Sequence, residues 1–212
     1  MNTLAAKALC LLIGYGLGMI LTAEIVTRKM TGKPCKYLGT SGNPGMANVM
    51  AHLGFVPGIL VLAGDLLKVV AAVVIAQIFF VPAAGHVAVL YAGLGAVLGH
   101  NFPAWMKFNG GKGVAATCAA IFLFMPGFGT LAMLLGMVVV FATKYLCLGG
   151  AAIPAVFMIP AFLLAGREAG ILALILTVLM FLRNWKQIRL IPSGRAEQVD
   201  VLGKLRSKLA KH

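Results

Sequence analysis

The sequence predicts an all-α integral membrane protein with about seven transmembrane helices, some of them short. Hydrophobic residues make up 61% of the 212 residues and charged residues 11%, which is typical of polytopic membrane proteins and unusual for soluble domains. The apolar residues are gathered in long runs separated by short polar segments. Lys and Arg are concentrated in three of those segments, and this distribution predicts an orientation in the membrane.

Six apolar runs follow one another along the chain. The first is too long for the core of a signal peptide, so we predict that it stays as a helix of the mature protein. It carries Gly14, Gly16 and Gly18, which would let a neighbouring helix approach closely. The next run carries Asp65 and Lys68, three residues apart and therefore on one helix face. The predicted runs are residues 4–26, 55–81, 86–98, 114–143, 149–165 and 170–182.

Residues 114–143 are interrupted at Pro126, and two interpretations are open: two short helices with a turn, or one kinked helix. The basic clusters favour the turn. Eight Lys and Arg follow residue 182, four lie in residues 27–36, and Lys107 and Lys112 lie between the third and fourth runs. A turn at Pro126 gives seven segments, puts all three clusters on the cytoplasmic side and leaves the N-terminus outside and the C-terminus inside.

Length and charge predict a simple domain organisation. Residues 1–190 form one polytopic membrane domain, and residues 191–212 form a basic cytoplasmic tail. The net charge of +13 would draw the tail toward anionic lipid head groups of the bilayer. No nucleic acid partner is expected, because basic and aromatic residues are not interleaved. The four cysteines lack metal-ligand spacing, so no metal site is predicted.

The most informative stretch is residues 99–117, where four glycines, two lysines, His100 and Asn101 lie between apolar runs. Gly110, Gly111 and Gly113 would leave main-chain N–H groups unshielded, and a helix starting at Val114 would point more N–H donors the same way. This arrangement favours an anion site. Since the Walker pattern is absent, the expected ligand is a phosphate group rather than a nucleotide.

A second polar segment covers residues 27–49. Residues 39–48 contain too many Gly, Asn and Pro residues for a regular helix interior, so we predict a loop there. In the predicted topology this loop, the 99–113 loop and the basic segment after Arg183 share one membrane face.

Three stretches of the sequence resemble a known family. Residues 41–49 (SGNPGMANV), Asp65 to Lys68 (DLLK) and residues 99–115 (GHNFP and KFNGGKGVA) look like the first two signature regions of the bacterial acyl-phosphate:glycerol-3-phosphate acyltransferases, the PlsY family. The resemblance implies a seven-helix enzyme of the bacterial inner membrane with its active site facing the cytoplasm. It implies transfer of a fatty acyl group from acyl phosphate to the 1-hydroxyl of glycerol 3-phosphate, without a cofactor or an obligate protein partner.

The resemblance also implies roles for individual residues. Ser41 and Asn43 would bind phosphate or orient substrate, and the glycines with Lys112 would cradle phosphate. His100 would lie at the loop entrance as a general base or as a hydrogen-bonding group that pins the loop. The implied catalytic residues are Ser41, His100, Asn101 and Lys112, and the implied substrate-binding residues are Asn43, Gly45, Asn48, Lys107, Gly110, Gly111, Gly113, Asn184, Gln187 and Arg189.

The sequence departs from the family pattern in two places. Residues 45–51 (GMANVMA) lack a threonine and an arginine of the first signature. The third signature appears as residues 183–190 (RNWKQIRL) without its histidine. Asn184 or Gln187 could replace the family asparagine, and the lost charge could come from Arg183, Lys186 or Arg189. Two alternatives therefore stay open: an acyltransferase with another acceptor, and a non-catalytic anion-binding or transport protein in which Asp65 and Lys68 line a pathway.

The expected donor is acyl phosphate rather than a coenzyme A thioester. A thioester donor carries a bulky nucleotide that needs its own groove, and the polar segments of this chain are too short to form one. None of His52, His86 and His100 has an acidic residue five positions on, so the sequence lacks a His–Asp dyad of that spacing. A highly activated mixed anhydride suits such a site better.

Overall fold

The computed structural model describes residues 2–199, and within that range the regular structure is entirely helical. The predicted all-α class is confirmed for these residues. The α-helices are α1 (Thr3–Gly18), α2 (Thr22–Thr31), α3 (Met46–Leu53), α4 (Phe55–Phe79), α5 (Val81–Ala84), α6 (Ala88–Asn101), α7 (Val114–Phe124), α8 (Pro126–Thr143), α9 (Leu146–Leu164) and α10 (Arg167–Leu190), with 3₁₀ turns at Cys35–Tyr37 and Ala104–Met106.

Among the described residues, five helical segments are long and apolar enough to cross a membrane, and α7 is a shorter apolar helix. Leu67, Leu134 and Leu163 on these segments are each at least 60% exposed. Large apolar side chains at such exposure suit contact with lipid chains, so the protein is an integral membrane protein. The five segments are Thr3–Thr31, Phe55–Phe79, Pro126–Thr143, Leu146–Leu164 and Arg167–Leu190.

The first apolar run is not the single helix predicted over residues 4–26. It breaks between α1 and α2, where Leu21 has an extended backbone with φ −90° and ψ 97°. The N–H of Glu24 donates to the carbonyl oxygen of Leu21 rather than to that of Ile20. The break leaves the carbonyl oxygens of Ile20 and Met19 without donors from the helix backbone. The side chains of Lys68 and Trp105 donate hydrogen bonds to these two oxygens instead. Apolar sequence alone gives no sign of these distant donors.

The interruption at Pro126 is confirmed as a helix boundary. Helix α7 ends at Phe124, Met125 is extended with φ −140° and ψ 85°, and Pro126 is the first residue of α8. Proline disfavours helical backbone in the residue before it and is well tolerated at the first position of a helix.

The chain divides into two compact units, one up to Pro126 and one from Gly127 onward. In the first unit, α1 packs against α6 through glycines. A Cβ added at Gly14 or Gly18 would overlap the carbonyl oxygen of Ala92 or Ala96, and one added at Gly95 or Gly99 would overlap a carbonyl oxygen of α1. The close approach predicted for Gly14 and Gly18 is confirmed. The prediction is wrong for Gly16, where an added Cβ would meet no atom within 4 Å.

The predicted loop over residues 39–48 is shorter than expected, because α3 begins at Met46 and includes Asn48. We call residues 38–45 the serine loop. It lies over a small core formed by Ala23, Cys35, Val49 and Val61. The buried carboxylate of Glu24 accepts hydrogen bonds from the Cys35 N–H at 2.8 Å and from the Arg28 side chain at 2.6 Å. The bond from Cys35 connects α2 to the 3₁₀ turn that precedes the serine loop.

In the second unit, α9 packs along α10, and Gly170 lies directly against the ring of Phe162. Residues 191–199 fold back onto the same unit: Val199 N–H donates to the Lys144 carbonyl oxygen at 2.9 Å and Gln198 donates to the Tyr145 hydroxyl at 3.0 Å. Residues 200–212 of the predicted tail lie outside the described residues. The division into a 1–190 domain and a 191–212 tail stays a prediction.

Candidate functional site

Helix α6 runs further than predicted, and its last turn contains His100 and Asn101, both buried. The loop that follows, residues 102–113, is here called the glycine loop. It turns back onto the end of α6, where the N–H groups of Gly110 and Gly111 donate to the carbonyl oxygens of Asn101 (3.1 Å) and His100 (3.0 Å). These carbonyl groups end a helix and need donors. The N–H groups of Gly110 and Gly111 thus hydrogen-bond within the protein, and the substrate-binding role of the two glycines stays a prediction.

Glycine is required here because the chain segments approach closely. A Cβ at Gly111 would overlap Nε2 of His100 and would lie 2.8 Å from the carbonyl oxygen of Pro44. Gly113 has φ 79°, in the left-handed region, and a Cβ there would overlap the side-chain oxygen of Asn101. Pro44 belongs to the serine loop, so the serine loop and the glycine loop lie against each other at this point.

A buried polar network lies beneath this meeting point. The ammonium group of Lys68 is 2.8 Å from Oδ1 of Asp65 and 2.7 Å from Nδ1 of His100, and Nδ1 of His100 is 3.5 Å from Oδ1 of Asp65. All three side chains are at most 5% exposed. The sequence indicated the Asp65–Lys68 pair by its spacing, but it gave no sign that His100 joins it.

Two further side chains hold the glycine loop against the helix break. The Tyr15 hydroxyl donates to the carbonyl oxygen of Phe102 at 2.8 Å, and the Trp105 indole N–H donates to that of Met19 at 2.9 Å. Lys107 and Phe108 have φ of 53° and 59° and are exposed at the tip of the loop. Sequence reasoning missed Tyr15 and Trp105. Lys107, a predicted substrate-binding residue, lies on the surface of this unit.

In the serine loop, the predicted residues divide into exposed and structural groups. Ser41 is exposed, and its hydroxyl accepts the N–H of Asn43 at 3.4 Å. Asn48 is buried, and its side-chain NH₂ donates to the carbonyl oxygens of Leu38 (3.0 Å) and Asn43 (3.1 Å). The N–H of Gly45 also donates to Asn43 O, at 2.9 Å. Asn48 thus fixes the shape of the loop, and the side chain of Ser41 is exposed on the surface of the first unit.

The start of α7 keeps features of an anion site. No side chain caps its N-terminus at Gly113, and the partly buried Lys112 lies immediately before it. The side chain of Asn101 is fully buried beside Gly113, and among residues 2–199 neither its oxygen nor its nitrogen has a hydrogen-bond partner. Uncapped first-turn N–H groups, a lysine and an unsatisfied amide together can bind a phosphate oxygen.

The last predicted residues lie in the second unit, on α10. Asn184 is buried and donates to the Met180 carbonyl oxygen at 2.9 Å. The side-chain oxygen of Gln187 accepts the Glu197 N–H at 3.2 Å, while Arg189 is exposed. Asn184 and Gln187 each form a hydrogen bond with the backbone of the second unit. Of these three residues, Arg189 is the one whose charged side chain is exposed.

Comparison with known proteins identifies relatives over nearly the full chain. A family model described as glycerol-3-phosphate acyltransferase matches residues 8–194. Glycerol-3-phosphate acyltransferase 1 of Lactobacillus johnsonii is 42% identical over 200 residues, covering 94% of this chain and 95% of that protein. Glycerol-3-phosphate acyltransferase of Thermotoga petrophila is 34% identical over 190 residues, covering 90% of this chain and 95% of that protein.

Two solved structures have a similar fold. Both are crystal structures of PlsY (YgiH), described as an integral membrane glycerol 3-phosphate acyltransferase. The glycerol 3-phosphate form superposes with a TM-score of 0.81 at 27% identity, covering 94% of this chain and 98% of that one. The lysophosphatidic acid form superposes with a TM-score of 0.78 at 25% identity, covering 92% and 96%.

Proposed function

Because the chain belongs to the glycerol-3-phosphate acyltransferase family, we propose that it transfers a fatty acyl group from acyl phosphate to the 1-hydroxyl of glycerol 3-phosphate. The products are lysophosphatidic acid and inorganic phosphate, so the reaction is a step of phospholipid biosynthesis. Family membership supports the acyltransferase activity. The acyl phosphate donor is what the resemblance to the acyl-phosphate-dependent family implies, and the short polar segments and the missing His–Asp dyad support it.

The chemistry requires little beyond positioning and charge stabilisation. The acceptor oxygen forms a bond to the acyl carbon, and the bond from that carbon to the phosphate oxygen breaks. Phosphate leaves with the electron pair, and the proton of the attacking hydroxyl passes to a phosphate oxygen of the substrates. Since acyl phosphate is already an activated mixed anhydride, the protein has to bring two phosphate-bearing substrates together and stabilise the charge that develops on the leaving group.

One observation carries the assignment of the site: the serine loop meets the glycine loop at Gly111, next to the start of α7. Lys112, the first-turn N–H groups of α7 and the unsatisfied amide of Asn101 are proposed to hold phosphate. Ser41 and Asn43 approach from the serine loop and are proposed to orient the second substrate. Both substrates thus contact segments that are distant in sequence.

We further propose seven membrane crossings, with the N-terminus outside and the C-terminus and the two loops cytoplasmic, in a bacterial inner membrane. The shorter helices α6 and α7 would contribute crossings besides the five longer segments. The basic residues of segments 27–36, 107–112 and 183–211 favour this orientation by the positive-inside rule.

The activity assay uses the purified full-length protein with palmitoyl phosphate and radiolabelled glycerol 3-phosphate, following lipid product and released phosphate together. We expect equal amounts of both products. Ser41→Ala should lose most of this activity, whereas Ser193→Ala, at an exposed turn after α10, should keep it. Phosphate release that needs a different acceptor would overturn the proposed acceptor, and absence of both products would overturn the proposed function.

Donor specificity is tested in the same assay with palmitoyl-coenzyme A and acyl carrier protein thioester at equal concentration. We expect turnover with acyl phosphate and none with either thioester. Turnover with palmitoyl-coenzyme A where palmitoyl phosphate is inert would contradict the proposed donor.

A further inference from the structure

Lys68 lies in the middle of a membrane-spanning helix, yet all three N–H bonds of its ammonium group have protein acceptors. These are the carbonyl oxygen of Ile20 at 3.0 Å, Oδ1 of Asp65 at 2.8 Å and Nδ1 of His100 at 2.7 Å. A buried charge is tolerated when it is paired and fully hydrogen-bonded. The network therefore joins the helix break before α2, helix α4 and the end of α6.

The contact with Lys68 determines which ring nitrogen of His100 carries the proton. Lys68 lies 2.8 Å from the Asp65 carboxylate and is charged as the partner of that ion pair. An ammonium group has no lone pair, so Nδ1 is the acceptor in the 2.7 Å contact. A proton on Nδ1 would set two donors against each other, and the distance of 3.5 Å to the Asp65 carboxylate is too long for a good hydrogen bond. The ring is therefore neutral, with its proton on Nε2.

The protonated edge of the ring lies against the glycine loop. A Cβ at Gly111 would overlap Nε2 of His100 and would also crowd the Pro44 carbonyl oxygen of the serine loop. The Gly111 N–H donates to the His100 carbonyl oxygen at 3.0 Å. The orientation of this ring thus shapes the surface on which both loops rest.

We propose, as an extension of the acyl-transfer function above, that Lys68 is a positioning residue for that reaction. It holds His100 in the Nε2–H form, and His100 in turn holds the two loops in the arrangement that presents Lys112 and Ser41 to the substrates. It follows that His100 is not the general base, because Nδ1 accepts from Lys68 and Nε2 already carries a proton. The proton of the attacking hydroxyl goes to a group other than this ring.

The test needs a variant that removes the network without leaving a lone buried charge. Lys68→Met alone would strand the Asp65 carboxylate and disturb folding. The double variant Asp65→Asn with Lys68→Met removes both charges at similar side-chain volume. The matched control is Lys29→Met, at an exposed position of α2. Each protein is first compared with wild type by circular dichroism and by elution volume in the same detergent.

The first readout is the ¹⁵N signal of the histidine rings in labelled full-length protein, assigned with His100→Gln. We expect a pyridine-type Nδ1 and a pyrrole-type Nε2 for His100 in the wild type and in Lys29→Met, and a mixture of tautomers in the double variant. The ring of His86, which contacts the Phe124 carbonyl oxygen, serves as the internal reference and should not change.

The second readout is steady-state kinetics. We expect the folded double variant to show kcat/KM lowered by about ten- to hundredfold, mainly through a higher KM for the phosphate-bearing substrates, because misplaced binding groups weaken substrate positioning. A purely structural role in stability would leave KM unchanged in the folded protein.

The outcomes separate this proposal from the proposed function. A protonated Nδ1 in the wild type, or wild-type kcat/KM in the folded double variant, would overturn the positioning role and leave the acyl-transfer function intact. If the wild type fails to acylate glycerol 3-phosphate, the proposed function is wrong, and the positioning role for that reaction is overturned with it even where the ¹⁵N signals confirm the network.

Discussion

Lys112 and Lys29 carry the same charge in different surroundings, which makes them a matched pair. Lys112 is partly buried at the start of α7, whereas Lys29 is exposed on α2. A charge-assisted hydrogen bond to phosphate contributes about 1.5–3 kcal/mol. We therefore expect Lys112→Ala to lower kcat/KM about ten- to hundredfold and Lys29→Ala to leave it unchanged, as measured by phosphate release. Equal small losses in both variants would mean that the lysines act only through overall charge.

Cys35 lies in the core under the serine loop, and burial raises the pKa of its thiol above the ordinary value of 9.0. In a protein that keeps Cys35 and has the other three cysteines replaced by Ala, maleimide should label the folded protein much more slowly than the SDS-unfolded protein at pH 8. The folded thiol stays protonated where the unfolded one ionises. This contribution is therefore constant below pH 8 and destabilises the fold as pH rises through 9.

Rapid labelling of folded Cys35 at pH 8 would contradict the burial of this thiol. The thermal midpoint measured from pH 7 to pH 10 provides the second check. If the Cys35→Ala variant shows the same decline above pH 9 as the parent, another group causes it.

Among the helices, the contact between α1 and α6 depends on Gly14 and Gly18 of α1, which lie one turn apart. A Cβ at Gly14 would overlap the Ala92 carbonyl oxygen, whereas one at Gly16 would meet nothing within 4 Å. We expect Gly14→Ala to destabilise the protein by about 1–3 kcal/mol through overpacking. Gly16→Ala should be neutral or stabilise it by up to about 1 kcal/mol, since alanine is the better helix former.

The measurement is the thermal midpoint of each variant in one detergent. Similar losses for Gly14→Ala and Gly16→Ala would show that backbone flexibility, rather than the helix contact, makes these glycines necessary.

Some elements could be predicted from the sequence because local patterns specify them. Helix α4 occupies Phe55–Phe79, close to the predicted 55–81, and Pro126 starts a helix. The break after Gly18 could not be predicted, because its partners Lys68 and Trp105 lie 48 and 86 residues from the carbonyl groups they satisfy. The extension of α6 to Asn101 was hidden for a similar reason, since His100 and Asn101 are polar but become buried.

The position of the candidate site could also be predicted from the sequence, but its contacts could not. The motifs located the serine loop and the glycine loop, and the glycines at 111 and 113 predicted unshielded N–H groups at an anion site. The sequence did not indicate that these glycines make room for other side chains. Gly111 makes room for a histidine ring and Gly113 for an asparagine side chain, so the N–H groups of Gly110 and Gly111 serve the loop itself. His100 and Lys68 are 32 residues apart, which no local spacing rule relates.

For the whole molecule, the distribution of Lys and Arg predicts the orientation of the chain in the membrane. A reporter fused after His212 should be cytoplasmic, and one fused before Met1 should be external, in cells that express the full chain. A matched pair of fusions after Gly85 and after Gly113 should report the external and the cytoplasmic side, respectively. Both termini on one side would mean that the boundary at Pro126 does not reverse the chain.

The break between α1 and α2 also has a consequence for biosynthesis. The carbonyl groups of Met19 and Ile20 leave the ribosome early, and their donors Trp105 and Lys68 are synthesised 86 and 48 residues later. Until then the two carbonyl groups must find water or translocon partners, since lipid offers none. Assembly of the first unit therefore finishes only when the glycine loop has been synthesised, and the first membrane segment reaches its final shape only after that point.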